Sequence, residues 1–209
     1  DSTIDVDQSA SANFHQGIDV RTDDLTTIDN VAFTGDHGDA VHVRGDNVLV
    51  ENSVFNGTNG ADGDRIAVNI ASVTNVTVSE NRIEAYTSVL ADFGDGDSSE
   101  ITVTDNEIVD IEAGTTGYAP WDESVIALSG QDGAAADDVT ITGNNFDLTD
   151  VASADRPDAY ILNGDTTAGD FVLNQTVIDD NSFAHGATLD ESYSINGFSD
   201  AEAIVVDDE

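Results

Sequence analysis

The chain contains no cysteine and no lysine, only two prolines and a single tryptophan. Without cysteine there are neither disulfides nor thiolate metal sites, which suits an exposed extracellular protein. No stretch approaches the roughly 20 apolar residues that a membrane-spanning helix needs, so no direct membrane insertion is expected. Cations are scarce too: five arginines stand against 43 acidic residues, a net charge of −38. Phosphate backbones and anionic lipid headgroups would meet a surface of their own sign, so nucleic acid is not expected as a partner. No basic segment followed by an apolar one marks a leader. The opening "DSTIDVDQSASANF" reads as the start of a mature form or of an excised fragment.

Small soluble domains usually carry a net charge of about 2–8 in magnitude. Carboxylates in such excess repel one another and oppose compaction. In molar salt the Debye length falls to about 3 Å, and most of that repulsion is screened. A folded protein adapted to very high salt, as in extreme halophiles, is the expectation. Disorder is the competing reading of high charge. It is disfavoured because Leu, Ile, Val and Phe supply 53 of 209 residues, above the roughly 20 % below which disorder prevails.

Those apolar residues are patterned. Six segments share an aliphatic residue, an Asn two or three places on, and Ile or Phe five places on. Their anchors are Ile28, Val50, Val78, Val103, Ile141 and Ile178, spaced 22, 28, 25, 38 and 37 residues apart. The first three spacings suggest a repeat unit, and the last two the same unit with inserted loops at 113–124 and 150–160. A second alternating strand precedes each anchor, most clearly in Ile18-Asp19-Val20, Val41-His42-Val43 and Ile66-Ala67-Val68. Period-two alternation predicts strands with one buried face, and the Gly-, Asp- and Asn-rich links predict turns. No segment shows helical periodicity.

One such unit cannot bury its apolar side alone. Stacking the units places like strands side by side at about 4.8 Å and builds parallel sheets around a shared interior. Asn30, Asn52, Asn81, Asn106, Asn145 and Asn181 are then expected to line up as an amide ladder along one edge.

"VTVSENRI", "ITVTDNEI" and "VTITGNNF" resemble the repeats of the right-handed parallel β-helix superfamily, the pectate-lyase-like fold. The resemblance implies an all-β fold: a single-stranded right-handed parallel β-helix of about six to seven coils, one domain over residues 1–209. Residues 1–14 would cap one end. The superfamily includes polysaccharide lyases, galacturonases, tailspikes, adhesins and plain surface proteins.

In this arrangement His42 and Arg44 point outward, in two columns, Asp19–His42–Ala67 and Arg21–Arg44–Asn69. Three of the five Arg and three of the four His fall within the first 65 residues. The resemblance implies a carbohydrate site on such an outer face, with Arg or Lys as the base in the lyases and Ca²⁺ neutralising a uronate. His42 paired with Asp19 is the easier acid or base, with an ordinary pKa near 6.5; Arg44 is the other candidate. Arg21 and Asn69 would contact ligand, and Asp39, Asp62 and Asp64 offer oxygen ligands to calcium. Trp121 beside Tyr118 would suit sugar stacking or a protein contact. The competing reading is that Arg21 and Arg44 only pair with nearby Asp.

The chain departs from the enzymes in lacking a paired-aspartate motif, Gly-His-Gly, Arg-Ile-Lys and any lysine. The expectation is therefore a non-catalytic surface or virion module in a high-salt setting, used for adhesion, assembly or glycan binding. A polysaccharide lyase or hydrolase acting through Arg21, His42 and Arg44 is the alternative, and a structural spacer the third reading. Glycans, neighbouring surface or virion proteins and a homotrimer are the expected partners. Sequons at Asn56, Asn75 and Asn174 allow glycosylation, and "RGD" at Arg44–Asp46 falls at a turn.

Overall fold

A computed structural model of the protein describes residues 2–6, 16–35, 38–57, 66–84, 87–92, 96–111, 124–130, 134–152, 156–157, 159–165, 172–184, 188–189 and 202–206. Every regular element among them is a strand. After β1 (Ser2–Val6), the chain winds six times through three sheets. The turns are β2 (Gln16–Val20), β3 (Thr26–Asp29) and β4 (Val31–Gly35); β5 (Asp39–Val43), β6 (Val48–Glu51) and β7 (Val54–Gly57); and β8 (Ile66–Ile70), β9 (Thr74–Ser79) and β10 (Arg82–Glu84). They continue with β11 (Thr87–Asp92), β12 (Ser98–Thr104) and β13 (Glu107–Val109), then β14 (Ser124–Gly130), β15 (Ala135–Thr142) and β16 (Asn145–Asp147). The sixth holds β17 (Ala159–Asp165), β18 (Val172–Asn174), β19 (Val177–Asp179) and β20 (Ser182–Phe183).

Each strand pairs in parallel with its equivalents one turn before and after, giving three sheets that run the length of the stack. The first sheet is β1-β4-β7-β10-β13-β16-β20. The second is β2-β5-β8-β11-β14-β17, and the third runs from β3 to β18 with β19 beside β15. At the far end of the second sheet, β22 (Glu202–Val206) lies antiparallel to β17 and pairs with β21 (Thr188–Leu189). This reversal ends the parallel ladder there. β1 adds a parallel strand to the first sheet beside β4. Residues 1 and 7–14 of the expected cap, 113–123 of the first expected insertion, and 153–155 and 158 of the second lie outside the described residues.

The interior follows the repeat. Val50, Val78, Val103 and Ile141 stack in register and are buried. So do Phe33, Phe55, Ile83, Ile108 and Phe146. The rings of Phe33 and Phe55 stack at 4.7 Å, and those of Phe146 and Phe183 at 5.0 Å, with Tyr160 edge-on to the latter pair. Burying each large aliphatic or aromatic side chain is worth about 1.5–3 kcal/mol, which supplies the main driving force for closing one turn on the next.

The edge ladder exists but is displaced from the expected one. Its rungs are Ser53, Asn81, Asn106, Asn144 and Asn181. The Oδ1 of each Asn accepts the backbone N–H of the rung before it, at 2.9–3.0 Å. From Asn81 to Asn181 the amides also bond to one another at 2.9–3.1 Å. Ser53 takes the rung one turn before Asn81, and its hydroxyl accepts from Val31 N–H at 3.2 Å. Asn30, Asn52 and Asn145 are not rungs. Asn30 and Asn52 sit one residue earlier, with φ of 57° and 49°, in a column of left-handed corner residues that continues with Glu80, Asp105, Gly143 and Asp180. Asn and Gly tolerate that geometry, so an asparagine at the bend signals either a corner or a rung. Asn145 begins β16 and is exposed.

Candidate functional site

The second sheet carries the side chains expected to form a site. β2 pairs β5 with Asp19 opposite His42, and β5 pairs β8 with His42 opposite Asn69. The outward column is therefore Asp19–His42–Asn69. Ala67 aligns with Ala40, not with His42, and Arg44 follows Val43, which aligns with Ile70, so Asn69 does not stack on Arg44. The physical reason is that β8 offers three inward-facing aliphatics, Ile66, Val68 and Ile70. The periodicity permits a slip of two residues, and the deeper register, with Val41 on Val68 and Val43 on Ile70, is the one adopted. Arg21 and Arg44 do lie side by side, since Arg44 N–H donates to Val20 C=O at 2.8 Å.

His42 finds a different carboxylate from the one expected. Its Nδ1 lies 2.9 Å from Asp39 Oδ2 and 2.6 Å from the Gln16 side-chain amide. Asp39 is 3 % exposed, and its Oδ2 also accepts from Asn69 Nδ2 at 3.3 Å. The Gln16 atom is Nε2, and Arg44 Nη2 lies 3.4 Å from the same Nδ1, so Nδ1 meets two N–H donors as well as the Asp39 carboxylate. Strict alternation puts Gln16 and Asp39 on the side of Ile18 and Val41, which hid their contact with His42 from the sequence. With Oδ2 shared by His42 and Asn69, Asp39 serves to orient those two side chains.

Asp19 turns instead to the arginines. Arg21 Nε donates to Asp19 Oδ2 at 2.6 Å, its Nη2 lies at the same distance, and Arg44 Nε stands 3.7 Å from Oδ1. The hydrogen bond from Arg21 holds the Asp19 carboxyl below its usual pKa range, against the opposing effect of burial, with Arg44, Arg21 and His42 adding to the lowering. Asp19 in turn raises the Arg21 guanidinium. Two carboxylates and two guanidiniums thus balance locally in a chain of net charge −38.

The sheet shelters part of this cluster. All of Ile66–Ile70 is buried, including Asn69 at 8 %. Two acceptor atoms, Asn69 Oδ1 and Asp19 Oδ1, have no hydrogen-bond donor. Among the described residues no group of three or more His, Asp or Glu is placed to hold a metal ion. Asp62, Asp64, Tyr118 and Trp121 lie outside the described residues. Asp46 of the "RGD" turn accepts Thr74 N–H at 2.8 Å, so that aspartate is tied into the corner. Of the sequons, Asn56 is exposed, Asn75 donates to Asn47 Oδ1 at 2.8 Å, and Thr176 of the third is buried.

The family described as right handed beta helix region matches residues 11–206. The chain belongs to that family, and its parallel three-sheet coil is the right-handed β-helix the family name denotes. No curated protein and no solved structure matches the chain.

Proposed function

We propose that the chain is the binding module of an exported surface or virion protein working in high salt. In this reading the outer face of the second sheet, over its first three turns, holds a glycan without transforming it. The supporting observation is the set of polar side chains fixed there by strand register: Asp19, His42 and Asn69 in one column, with Arg21 and Arg44 beside it. A rigid parallel sheet keeps such groups at constant spacing, which suits recognition of a repeating polymer. The net charge of −38 supports the high-salt setting.

The Asp39–His42 contact of 2.9 Å favours a second reading, a polysaccharide lyase or hydrolase with His42 as the base. The two readings separate on turnover. A glycan-array screen in molar salt, repeated with His42→Ala, is expected to show a bound glycan, weakened in the variant, with neither new reducing ends nor unsaturated product. Wild-type binding that His42→Ala leaves unchanged refutes the site. Product formation that His42→Ala abolishes replaces the first reading by the second.

A further inference from the structure

Resting on that reading, we infer that the second-sheet face takes a glycan bearing a sulfate or phosphate ester, which Arg21 and Arg44 hold together from adjacent turns. Val20 aligns with Val43, and each arginine follows one of them, so the two lie on neighbouring strands about 4.8 Å apart. Their side chains are 68 % and 39 % exposed. The carboxylates beside them are set deeper: the side chain of Asp19 is 21 % exposed and that of Asp39 4 %. What meets solvent here is therefore tilted towards positive charge, in a chain whose net charge is −38. Arg82 shows the opposite balance, one guanidinium between Glu107 at 2.7 Å and Glu84 at 3.5 Å.

The kind of anion follows from which guanidinium edges are taken. In Arg21 both Nε and Nη2 lie 2.6 Å from Asp19 Oδ2. In Arg44 Nε stands 3.7 Å from Asp19 Oδ1 and Nη2 3.4 Å from His42 Nδ1, so the same edge is turned onto the cluster. Asp19 thus sets both guanidiniums in one orientation, and among the described residues the Nη1 of neither has a partner. Two neighbouring guanidiniums then present their far edges together. A carboxylate is satisfied by the paired N–H groups of a single guanidinium. A sulfate or phosphate ester carries three terminal oxygens in a tetrahedron, enough to accept from both arginines at once. Charge-assisted hydrogen bonds of about 2.7–2.9 Å lie within the Debye length of about 3 Å in molar salt. Screening therefore spares these contacts while it removes the longer-range repulsion from the other carboxylates.

The test is calorimetric titration of the whole chain in molar sodium chloride with four oligosaccharides of equal length: a sulfated one, a phosphorylated one, a neutral one and an oligogalacturonate. The sulfated or the phosphorylated oligomer is expected to bind at least about tenfold more tightly than the other two, and the tighter of the pair names the ester. Arg21→Gln and Arg44→Gln, both on exposed side chains away from the core, are each expected to weaken that binding about tenfold, the equivalent of one lost charge-assisted hydrogen bond. Arg82→Gln, on the first sheet, is expected to leave it unchanged. A neutral oligomer or an oligogalacturonate bound as tightly as the esters overturns this inference and leaves glycan binding standing. Binding of none overturns both. Ester binding that Arg21→Gln or Arg44→Gln leaves within about twofold of wild type also overturns the inference.

Discussion

Asn144 and Asn145 are chain neighbours with opposite fates, and replacing each by alanine separates the ladder from the surface. Asn144 is 1 % exposed. Its Oδ1 accepts Asn106 N–H at 3.0 Å and Asn106 Nδ2 at 2.9 Å. Its Nδ2 donates to Val103 C=O at 3.0 Å and to Asn181 Oδ1 at 3.0 Å. Asn144→Ala leaves the buried Asn106 N–H without its acceptor and Val103 C=O without that donor. At about 1–3 kcal/mol for each buried group left unpaired, the cost is about 2–6 kcal/mol. For a chain of this length 1 kcal/mol shifts the melting temperature by about 2–4 °C, so the variant should melt roughly 4–24 °C lower. Asn145 is exposed and its Oδ1 accepts one bond, from Ser182 Oγ at 2.7 Å. Asn145→Ala should stay within about 0.5 kcal/mol of wild type. Thermal unfolding followed by circular dichroism at fixed molar salt decides the matter. An Asn145→Ala loss equal to or larger than that of Asn144→Ala refutes the reasoning.

Further outcomes follow from other sites. Glu80 holds a φ of 55° at a corner where the other turns use Asn, Asp or Gly, so Glu80→Asn should stabilise by about 0.5–1 kcal/mol in chemical denaturation. Gly45→Ala should destabilise by about 1–3 kcal/mol, because its new Cβ collides with the backbone carbonyl of Thr22. Burial first, then the charges of Asp150, Glu84 and Asp147, raise the Asp110 pKa, with Arg82 opposing. Above its folded-state pKa the native protein carries the penalty of that charge, and the penalty fades as the pH falls through that value towards the unfolded one. Asp110→Asn should therefore be more stable than wild type at neutral pH, on the order of 0.5 kcal/mol, and no more stable at a pH below the ordinary aspartate range. Arg82 reaches Glu107 at 2.7 Å and Glu84 at 3.5 Å from a half-exposed position. Arg82→Ala should thus cost about 0–1 kcal/mol, shrinking as salt rises.

The repeat was legible because burial repeats it. Val50, Val78, Val103 and Ile141 must face inward in every turn, so their period survives in the sequence even across long insertions. The ladder was only partly legible. Corner and rung are adjacent and both accept asparagine, so Asn52 hid Ser53 and Asn145 hid Asn144. The site suffered a different loss. Outward residues carry no periodicity of their own and inherit register from the inward ones, so the slip at β8 moved Asn69 from the Arg44 column to the His42 column. The contacts of Gln16 and Asp39 with His42 depend on a local break in the alternation at the start of the sheet, and alternation alone points those two side chains inward.

The stacking itself admits a direct measurement, made simpler by the absence of cysteine. In the third sheet Thr27, Leu49, Thr77, Thr102, Thr140 and Val177 occupy one outward column. Spin labels on Thr27→Cys/Thr140→Cys should lie about 19 Å apart and on Thr27→Cys/Val177→Cys about 24 Å, one strand spacing of about 4.8 Å per turn. Pulsed electron resonance in molar salt that shows this stepwise increase supports the coil. Distances that do not grow from the first pair to the second contradict it, and with it the register that assembles the face around His42.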